Sequence, residues 1–165
     1  MDLLDRLMED HDQLRRALDR LSAEICQGRD GSGLPAGWKV RSEEELVRAL
    51  RLLLPALLAH EEIEEKLLYA SLAEAGQEEE MFRILGADHH ALETMIQSLT
   101  SILTGERDKP LAWLVATTLR LVEMTTEHMR REEYEIFPMV RTTLTRRQLK
   151  ELGRRAESIL HPAAH

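Results

Sequence analysis

Apolar residues recur at intervals of three and four along most of this chain. The first run places on one helical face Leu4, Leu7, Leu14, Leu18, Leu21 and Ile25, and Gly28 predicts the end of this helix. Three later runs keep the same period, over residues 46–67, 82–103 and 114–136. Each amphipathic helix must bury its apolar face against the others, and short connections favour antiparallel neighbours. The sequence therefore predicts an all-α fold, an antiparallel up-down four-helix bundle.

Residues that start or stop helices separate the four runs. Ser42, followed three residues later by Glu45, matches a capping box and predicts the start of the second helix. Gly76 and Gly105 follow the second and third runs and predict their ends. The segment over residues 28–40 is rich in glycine and proline, which predicts a loop.

The chain continues beyond the fourth run. Leu149, Leu152 and Ile159 share a helical face and predict a short fifth helix over about residues 146–160. This helix is expected to pack across one end of the bundle, which would itself occupy about residues 3–140.

The composition argues against two classes of partner. A net charge of −8 argues against nucleic acid, because phosphate binding needs a basic surface. The longest apolar run, Leu52–Ala59, contains Pro55 and is too short to span a bilayer, so no membrane is expected. The single Cys26 excludes an intrachain disulfide, and the first apolar run contains acidic residues unlike a signal peptide. We therefore expect a cytoplasmic protein in a reducing compartment.

Each of the four helices carries a histidine on its apolar face. These residues are His11, His60, His89 and His128, each with apolar residues about one turn away. A single histidine on such a face is more often a hydrogen-bonded core residue than a metal ligand. Burying four imidazoles without partners, however, would cost roughly 1–3 kcal/mol each. A shared metal site would satisfy all four, and we therefore predict one.

Two helices add a carboxylate to the histidine. Glu64 lies four residues after His60, and Glu132 lies four residues after His128, so each pair stacks on one helix face. A buried carboxylate is tolerated when it coordinates a metal. Imidazoles and carboxylates without thiolates suit iron or manganese, and also zinc.

The chain contains an internal repeat. The second and fourth helices contain HEEIEEKLLYA and HMRREEYEIFP, which share a histidine, a Glu-Glu pair, an aliphatic and an aromatic residue in register. Tyr69 matches Phe137 in this repeat, which favours a packing role for Tyr69. His11 and His89 are followed by apolar residues at the same offsets. Two such hairpins around a pseudo-two-fold axis would place two metal ions roughly 3.5–4 Å apart, with one glutamate from each half between them.

Only one of the neighbours His89 and His90 can face the bundle axis, because a helix turns about 100° per residue. The offsets of three, seven and ten from His89 give Leu92, Ile96 and Leu99. The same offsets from His90 give Glu93, Gln97 and Thr100. We therefore predict that His89 faces the core and that His90 faces solvent.

A lone histidine, His-x-x-x-Glu, a lone histidine and His-x-x-x-Glu on four successive helices resemble the hemerythrin-like (HHE) cation-binding family. The resemblance implies a single domain of this type over residues 1–165. It implies iron ligands at His11, His60, Glu64, His89, His128 and Glu132. It also implies two non-haem iron ions, bridged by oxo and carboxylate groups, that react with dioxygen, peroxide or nitric oxide, or that sense iron or oxygen.

The sequence departs from the oxygen-carrying members of that family at two positions. Those proteins have a second histidine one turn after the third-helix ligand, where this chain has Glu93. They also end on His-x-x-x-x-Asp, where this chain has Glu133. Fewer histidines and more carboxylates would stabilise ferric iron and disfavour reversible oxygen release. The sequence leaves open whether Glu93 or Glu133 also coordinates.

Three classes of function compete for this pattern. The leading hypothesis is a di-iron protein that reacts with dioxygen or peroxide, and the sequence does not decide whether it turns over as an enzyme. The alternative is an iron- or oxygen-sensing or binding module without turnover. A third class is a structural bundle that binds zinc or no metal. A ferritin-type oxidase would need Glu-x-x-His on two helices, and no such pair lies on the core stripes.

Overall fold

Helices account for most of the chain that the computed structural model describes, which comprises residues 1–27, 38–76, 79–106 and 109–160. The first part contains α1 (Leu3–Glu24), strands β1 (Ile25–Gln27) and β2 (Trp38–Val40), α2 (Glu43–Ile63), a π-helical segment π1 (Glu64–Tyr69) and α3 (Ala70–Glu74). The second part contains α4 (Glu79–Leu103), α5 (Leu111–Arg131), a second π-helical segment π2 (Glu132–Ile136), α6 (Phe137–Thr143) and α7 (Arg146–Leu160). None of the described helices is both long enough and apolar enough to cross a membrane.

The long helices form a four-membered bundle. α1 packs against α2, and α4 packs against α5, which gives two helical hairpins. Contacts of α2 with α4 and of α1 with α5 join the hairpins into one bundle. α7 contacts α1, α2 and π1, at one end. The predicted all-α four-helix bundle with a short C-terminal fifth helix is confirmed.

Local interactions at the helix ends explain several of the boundaries. The Asp2 side chain accepts a hydrogen bond from the Asp5 backbone N–H, and the Asp5 side chain accepts one in return, which caps α1. Ser42 Oγ accepts a hydrogen bond from the Glu45 N–H at the start of α2. Gly76 and Gly105 have φ values of 76° and 78°, a conformation that glycine adopts without a steric penalty. The predicted helix ends at these glycines are confirmed.

A short antiparallel strand pair replaces the predicted end of the first helix and part of the predicted loop. The expectation that the first helix reaches Gly28 is wrong, because α1 ends at Glu24 and Ile25–Gln27 forms β1. β1 pairs with β2 so that Ile25 lies opposite Val40. Three residues are too few for an alternating apolar pattern to be detected, which is why the prediction over residues 28–40 missed β2. The rest of that predicted loop lies outside the described residues, and so does the side chain of Phe82 on the third stripe.

The two π-helical segments follow the His-x-x-x-Glu motifs, and the sequence analysis did not predict them. Buried residues here recur every four positions: His60, Glu64, Leu68 and Leu72, and then His128, Glu132, Ile136 and Val140. In an α-helix each step of four overshoots a full turn by about 40°, so three steps would drift by about 120°. The wider π turn absorbs this drift and keeps the residues on the core side.

The bundle core consists of two apolar clusters on either side of a polar layer. One cluster lies at the α7 end and includes Leu3, Leu7, Leu67, Leu72 and Leu149. The other fills the opposite end and includes Leu14, Leu50, Leu57, Leu99 and Leu121. On α1 the boundary between them falls at His11, which is fully buried. The polar layer is therefore enclosed by apolar side chains along the bundle axis.

α7 approaches the start of α1 through a buried glycine. A Cβ atom added to Gly153 would lie 2.8 Å from the carbonyl oxygen of Met1 and 3.1 Å from the backbone nitrogen of Leu3. Leu149, Leu152 and Ala156 are buried on the same face of α7. The absence of a side chain at residue 153 therefore allows the two backbones to touch.

Gly153→Ala should lower the free energy of unfolding by about 1–3 kcal/mol, because the new methyl group collides with backbone that cannot rotate away. Gly86→Ala is the matched control, since Gly86 is exposed on α4 and an added Cβ meets nothing within 4 Å. That change should stabilise the helix by up to about 1 kcal/mol. Urea unfolding measures both effects. Equal stabilisation by the two changes would contradict the close approach of α7 to α1.

Candidate metal centre

The four predicted core histidines meet in one layer of the bundle. His11 on α1, His60 on α2, His89 on α4 and His128 on α5 are each at most 4% exposed. The Nε2 atoms of His11 and His60 lie 3.1 Å apart. The Nε2 atoms of His89 and His128 lie 2.9 Å apart. The imidazoles therefore form two pairs, one in each hairpin.

Glu64 lies between the two pairs of imidazoles. Its Oε1 atom is 3.1 Å from His60 Nε2 and 3.7 Å from His11 Nε2. Its Oε2 atom is 3.5 Å from His89 Nε2 and 3.9 Å from His128 Nε2. One oxygen of this carboxylate therefore faces each pair.

Glu132 is the second carboxylate between the pairs, and it is fully buried, like Glu64. Its Oε2 atom lies 3.3 Å from His11 Nε2 and 3.6 Å from His128 Nε2. The same oxygen thus approaches one imidazole of each pair.

The six side chains form two overlapping groups of potential metal ligands. Within each group the donor atoms all lie within 4.8 Å of one another. The first group consists of His11, His60, Glu64 and Glu132, and the second of Glu64, His89, His128 and Glu132. Each group offers two nitrogens and two oxygens and can hold a metal ion. The two carboxylates belong to both groups.

The carboxylates in this layer lack hydrogen bonds that would account for their burial. Both oxygens of Glu64 and the Oε2 atom of Glu132 are buried and accept no hydrogen bond. Burying a carboxylate without compensation costs several kcal/mol, so such groups are normally paired or coordinate metals. These oxygens, which face imidazole nitrogens without a hydrogen bond, therefore fit cations held in this layer.

Charge attraction between the imidazoles and carboxylates outweighs the cost of burial. Burial alone would lower the pKa of His11, but contact with Glu132 and Glu64 raises it to about 10. The same balance, with Glu64 as the main carboxylate, raises the pKa of His89 to about 9. Burial would raise the pKa of Glu64, yet its imidazole neighbours, His60 first, hold that pKa well below the usual value. Protons on imidazoles and metal cations are thus alternative ways to neutralise the two carboxylates.

The outer nitrogens of two histidines bond to glutamates from the opposite hairpin. His11 Nδ1 donates to Glu133 Oε1 at 2.7 Å, and Arg15 also contacts this carboxylate. His89 Nδ1 donates to Glu65 Oε1 at 3.0 Å. Carboxylates in this position fix the orientation of a metal-binding imidazole. Sequence reasoning missed this role, although the repeated Glu-Glu pairs were its signal.

The outer nitrogens of the other two histidines differ from these. His128 Nδ1 lies 3.7 Å from Asp88 Oδ2, which is an ionic contact too long for a hydrogen bond, and Asp88 pairs with Arg131. His60 Nδ1 is buried without a hydrogen-bond partner. Only His60, among the four, has no carboxylate at its outer nitrogen within the described residues.

Tyr69 contributes a hydroxyl group to the site. Its O–H donates a hydrogen bond to Glu132 Oε1. Burial is the main cause that raises the pKa of Tyr69, and the nearby carboxylates raise it further, so the proton stays on the phenol. The Tyr69 ring lies 5.4 Å from the His89 ring, and Phe137 lies 5.4 Å from the His11 ring. The packing role predicted for Tyr69 from the repeat is therefore incomplete, since the hydroxyl group distinguishes it from Phe137.

Glu61 is a further buried carboxylate that sequence reasoning missed. It is 6% exposed, and its Oε1 atom has no hydrogen-bond partner. Burial raises its pKa to about 7, against the attraction of His89 and His128. The repeat has Met129 at the equivalent position, so a polar group occurs here in one half only.

The phase predicted for the third helix matches the structure, but Glu93 lies outside the site. His89 is 2% exposed, whereas His90 and Glu93 are exposed. The Glu93 carboxylate accepts a hydrogen bond from Gln97 at 3.1 Å. Glu93 is eight residues from Leu85, which turns it about 80° away from that buried position. Glu93 therefore lies outside the layer of histidines, whereas Glu133 bonds to the outer nitrogen of His11.

Comparison with known proteins identifies the family. A family model described as the Hemerythrin HHE cation binding domain matches residues 2–140. That range covers most of the chain and includes all six residues predicted as ligands. Neither the curated proteins nor the solved structures gave a significant match. The chain therefore belongs to the hemerythrin HHE cation-binding domain family.

Proposed function

We propose that this chain is a non-haem di-iron protein that reacts with dioxygen or peroxide. The proposed ligands of the two iron ions are His11, His60, Glu64, His89, His128 and Glu132. The observation that carries the proposal is the pair of four-residue groups that share two buried carboxylates.

The arrangement of Glu64 supports two ions in preference to one. Its two oxygens face different imidazole pairs, and neither accepts a hydrogen bond. A single ion would leave one oxygen and one imidazole pair without a cation. A second ion would be held by the other oxygen and the other imidazole pair, as in sites that hold two metal ions.

The donor types and the family support iron over other metals. Nitrogen and oxygen donors without thiolate suit iron, manganese and zinc alike. The resemblance to hemerythrin-like proteins favours iron among these. Nitric oxide is a further small ligand that such a pair would accept.

The protein's own residues would prepare this site for a small reactant. A pair of iron ions would supply electrons to a bound oxygen species. Glu133 and Glu65 orient the imidazoles of His11 and His89 through their outer nitrogens. Tyr69 restrains one oxygen of Glu132 with its hydroxyl group. The apolar clusters above and below the layer exclude water along the bundle axis.

A sensing role without turnover is the second candidate. The observation that favours it is the packing of α7, which follows the family match, against π1. π1 begins at Glu64, so a change at this carboxylate can reach the C-terminal helix through direct contacts. Sustained consumption of peroxide by the iron-loaded protein would favour the reactive role, and its absence would favour the sensing role.

The first test is metal content. Protein purified aerobically without chelators should contain about two metal ions per chain, mostly iron, by elemental analysis. His89→Ala should reduce this content and abolish the near-ultraviolet absorption of the iron pair, whereas His90→Ala should change neither. Well-folded protein with less than about half an equivalent of metal would overturn the proposal. Loss of metal in the His90 variant alone would contradict the assignment of His89.

Metal removal should lower stability in a pH-dependent manner. Chelation should reduce the thermal midpoint, because metal binds only the folded site. In metal-free protein, the raised pKa values of His11 and His89 contribute stability that is complete below their ordinary value of 6.5 and lost as pH rises through about 9 and 10. The lowered pKa of Glu64 contributes stability that is complete above its ordinary value of 4.5 and lost as pH falls below it.

The midpoint of the metal-free protein should therefore be highest between pH 4.5 and 6.5, the ordinary pKa values of the two groups. Differential scanning calorimetry at about pH 4 to 10 measures the thermal midpoint of the metal-free protein. A midpoint that rises from neutral to alkaline pH would contradict the charge arrangement of this layer.

The glutamate behind His11 should tune metal affinity. Glu133→Gln keeps the size of the side chain but removes the charge that holds the His11 N–H, so metal affinity should fall by about 10–100-fold. Glu93→Gln is the same change on the exposed surface of α4 and should have no effect. Competition against a coloured chelator measures both affinities. Equal affinities in the two variants would show that Glu133 does not orient the imidazole.

A further inference from the structure

Two threonines on α5 are buried with hydroxyl groups that have no partner. Thr118 is 0% exposed and Thr125 is 2% exposed. Neither Oγ1 atom forms a hydrogen bond within the part of the chain that the structure describes. Burying a hydroxyl group without a hydrogen bond lowers stability, so such groups are normally paired. These two hydroxyl groups are therefore candidates for a role other than packing.

Other threonines show that a helix can itself supply an acceptor. Thr94 donates to the carbonyl oxygen of His90 at 2.8 Å, and Thr126 donates to that of Val122 at 2.7 Å. These two threonines are exposed. The buried threonines of α5 leave the equivalent bond unformed. Their hydroxyl groups are therefore available to another acceptor.

Thr125 lies next to the layer of histidines and glutamates. It precedes His128 by three residues, which is about 4.5 Å along the helix axis. It precedes Glu132 by seven residues, so the two positions differ by only about 20° around the helix. Side chains lean towards the N-terminus of their helix, which brings His128 and Glu132 towards the turn that contains Thr125. Thr125 therefore covers the layer on the side away from α7.

The side of the layer that faces α7 is covered by two aromatic rings. Phe137 and Tyr69, which belong to the apolar cluster at that end, lie 5.4 Å from the rings of His11 and His89. The Tyr69 hydroxyl group already donates to Glu132. The opposite side, by contrast, offers a hydroxyl group that no carboxylate occupies.

The internal repeat shows that the fold does not require a hydroxyl group at this position. Its register matches Thr125 with Leu57 and Thr118 with Leu50. Both leucines are buried in the apolar cluster away from α7. The first hairpin thus fills the equivalent position with a larger and wholly apolar side chain. Thr125 consequently makes the second hairpin more polar and less crowded beside the layer.

We propose that the Thr125 hydroxyl group positions the small reactant of this site by donating a hydrogen bond to it. The reactant lies on the side of the layer away from α7, and its terminal atom accepts the bond, as an atom of dioxygen or peroxide can. The inference rests on the proposed function, because such a reactant is held only by a layer that contains the metal ions. A hydrogen bond from Thr125 is favoured there, since the surrounding apolar cluster offers no competing acceptor.

Thr118 is the matched control for Thr125. It is equally buried and unpartnered, but it precedes His128 by ten residues, which is about 15 Å along the helix axis. Valine has nearly the shape of threonine without the hydroxyl group, so Thr118→Val and Thr125→Val remove the same group from the same helix. Neither change should lower the thermal midpoint of the metal-free protein, because neither hydroxyl group has a bond to lose.

The test is titration of iron-loaded protein with azide, after the metal content of each variant has been measured. Azide is a small anion whose terminal nitrogen atoms accept hydrogen bonds. Thr125→Val should weaken azide binding about three- to tenfold, the contribution of one hydrogen bond, and Thr118→Val should leave it unchanged. Thr125→Ser keeps the hydroxyl group and should bind azide as the wild-type protein does. All three variants should retain the wild-type metal content.

Infrared spectroscopy provides a readout that packing alone would not change. The stretching frequency of bound azide should shift between light and heavy water in the wild-type protein and in Thr118→Val, because the bonded hydroxyl proton exchanges. The shift should be lost in Thr125→Val.

Equal azide affinity in the wild-type protein and Thr125→Val would overturn the proposal, as would equal weakening by the two valine changes or no recovery in Thr125→Ser. An isotope shift that persists in Thr125→Val would also overturn it. So would a lower thermal midpoint or a loss of metal in that variant, since Thr125 would then stabilise the bundle or the metal site itself. A chain that takes up no metal overturns the proposed function together with this inference. A loaded wild-type chain that does not bind azide overturns this inference alone.

Discussion

The structure depends on neutralising two carboxylates that the bundle buries at its centre. Glu64 and Glu132 are fully buried, and three of their four oxygens accept no hydrogen bond. Four imidazoles from four helices surround these oxygens, so all four helices contribute to neutralising the two negative charges. The apolar clusters on both sides keep water away from the layer, which strengthens each charge interaction within it.

The two hairpins support each other's histidines. Glu133 from the second hairpin bonds to His11 of the first, and Glu65 from the first bonds to His89 of the second. The orientation of each of these two imidazoles therefore depends on a contact with the opposite hairpin. The symmetry is incomplete, because Arg15 reinforces Glu133 while Glu65 is 56% exposed. The two halves of the site consequently have unequal electrostatic surroundings, although they arise from one repeated motif.

The sequence is sufficient to predict which residues of each helix face the core of the bundle. The period of the apolar stripes fixes which face of each helix is buried, and so His89 and His90 could be separated correctly. Contacts between side chains of different helices could not be predicted in this way. The bond from Tyr69 to Glu132 depends on how two hairpins meet, which no spacing within one helix reveals. The burial of Glu61 likewise comes from the packing of its neighbours, since its position beside His60 predicts a residue turned away from the axis.

The π-helical segments restrict changes in chain length near the site. Each begins at a shared glutamate and realigns the helix that follows with the core. Loss of one residue within π1 would let this segment become α-helical, since Leu72 would then follow Glu64 by seven residues, or about two α-helical turns, and stay on the core side. The same loss within π2 would keep Val140 on the core side. Insertion of one residue would instead rotate the following helix by about 100°, so insertions in these two segments should be tolerated less well than single deletions.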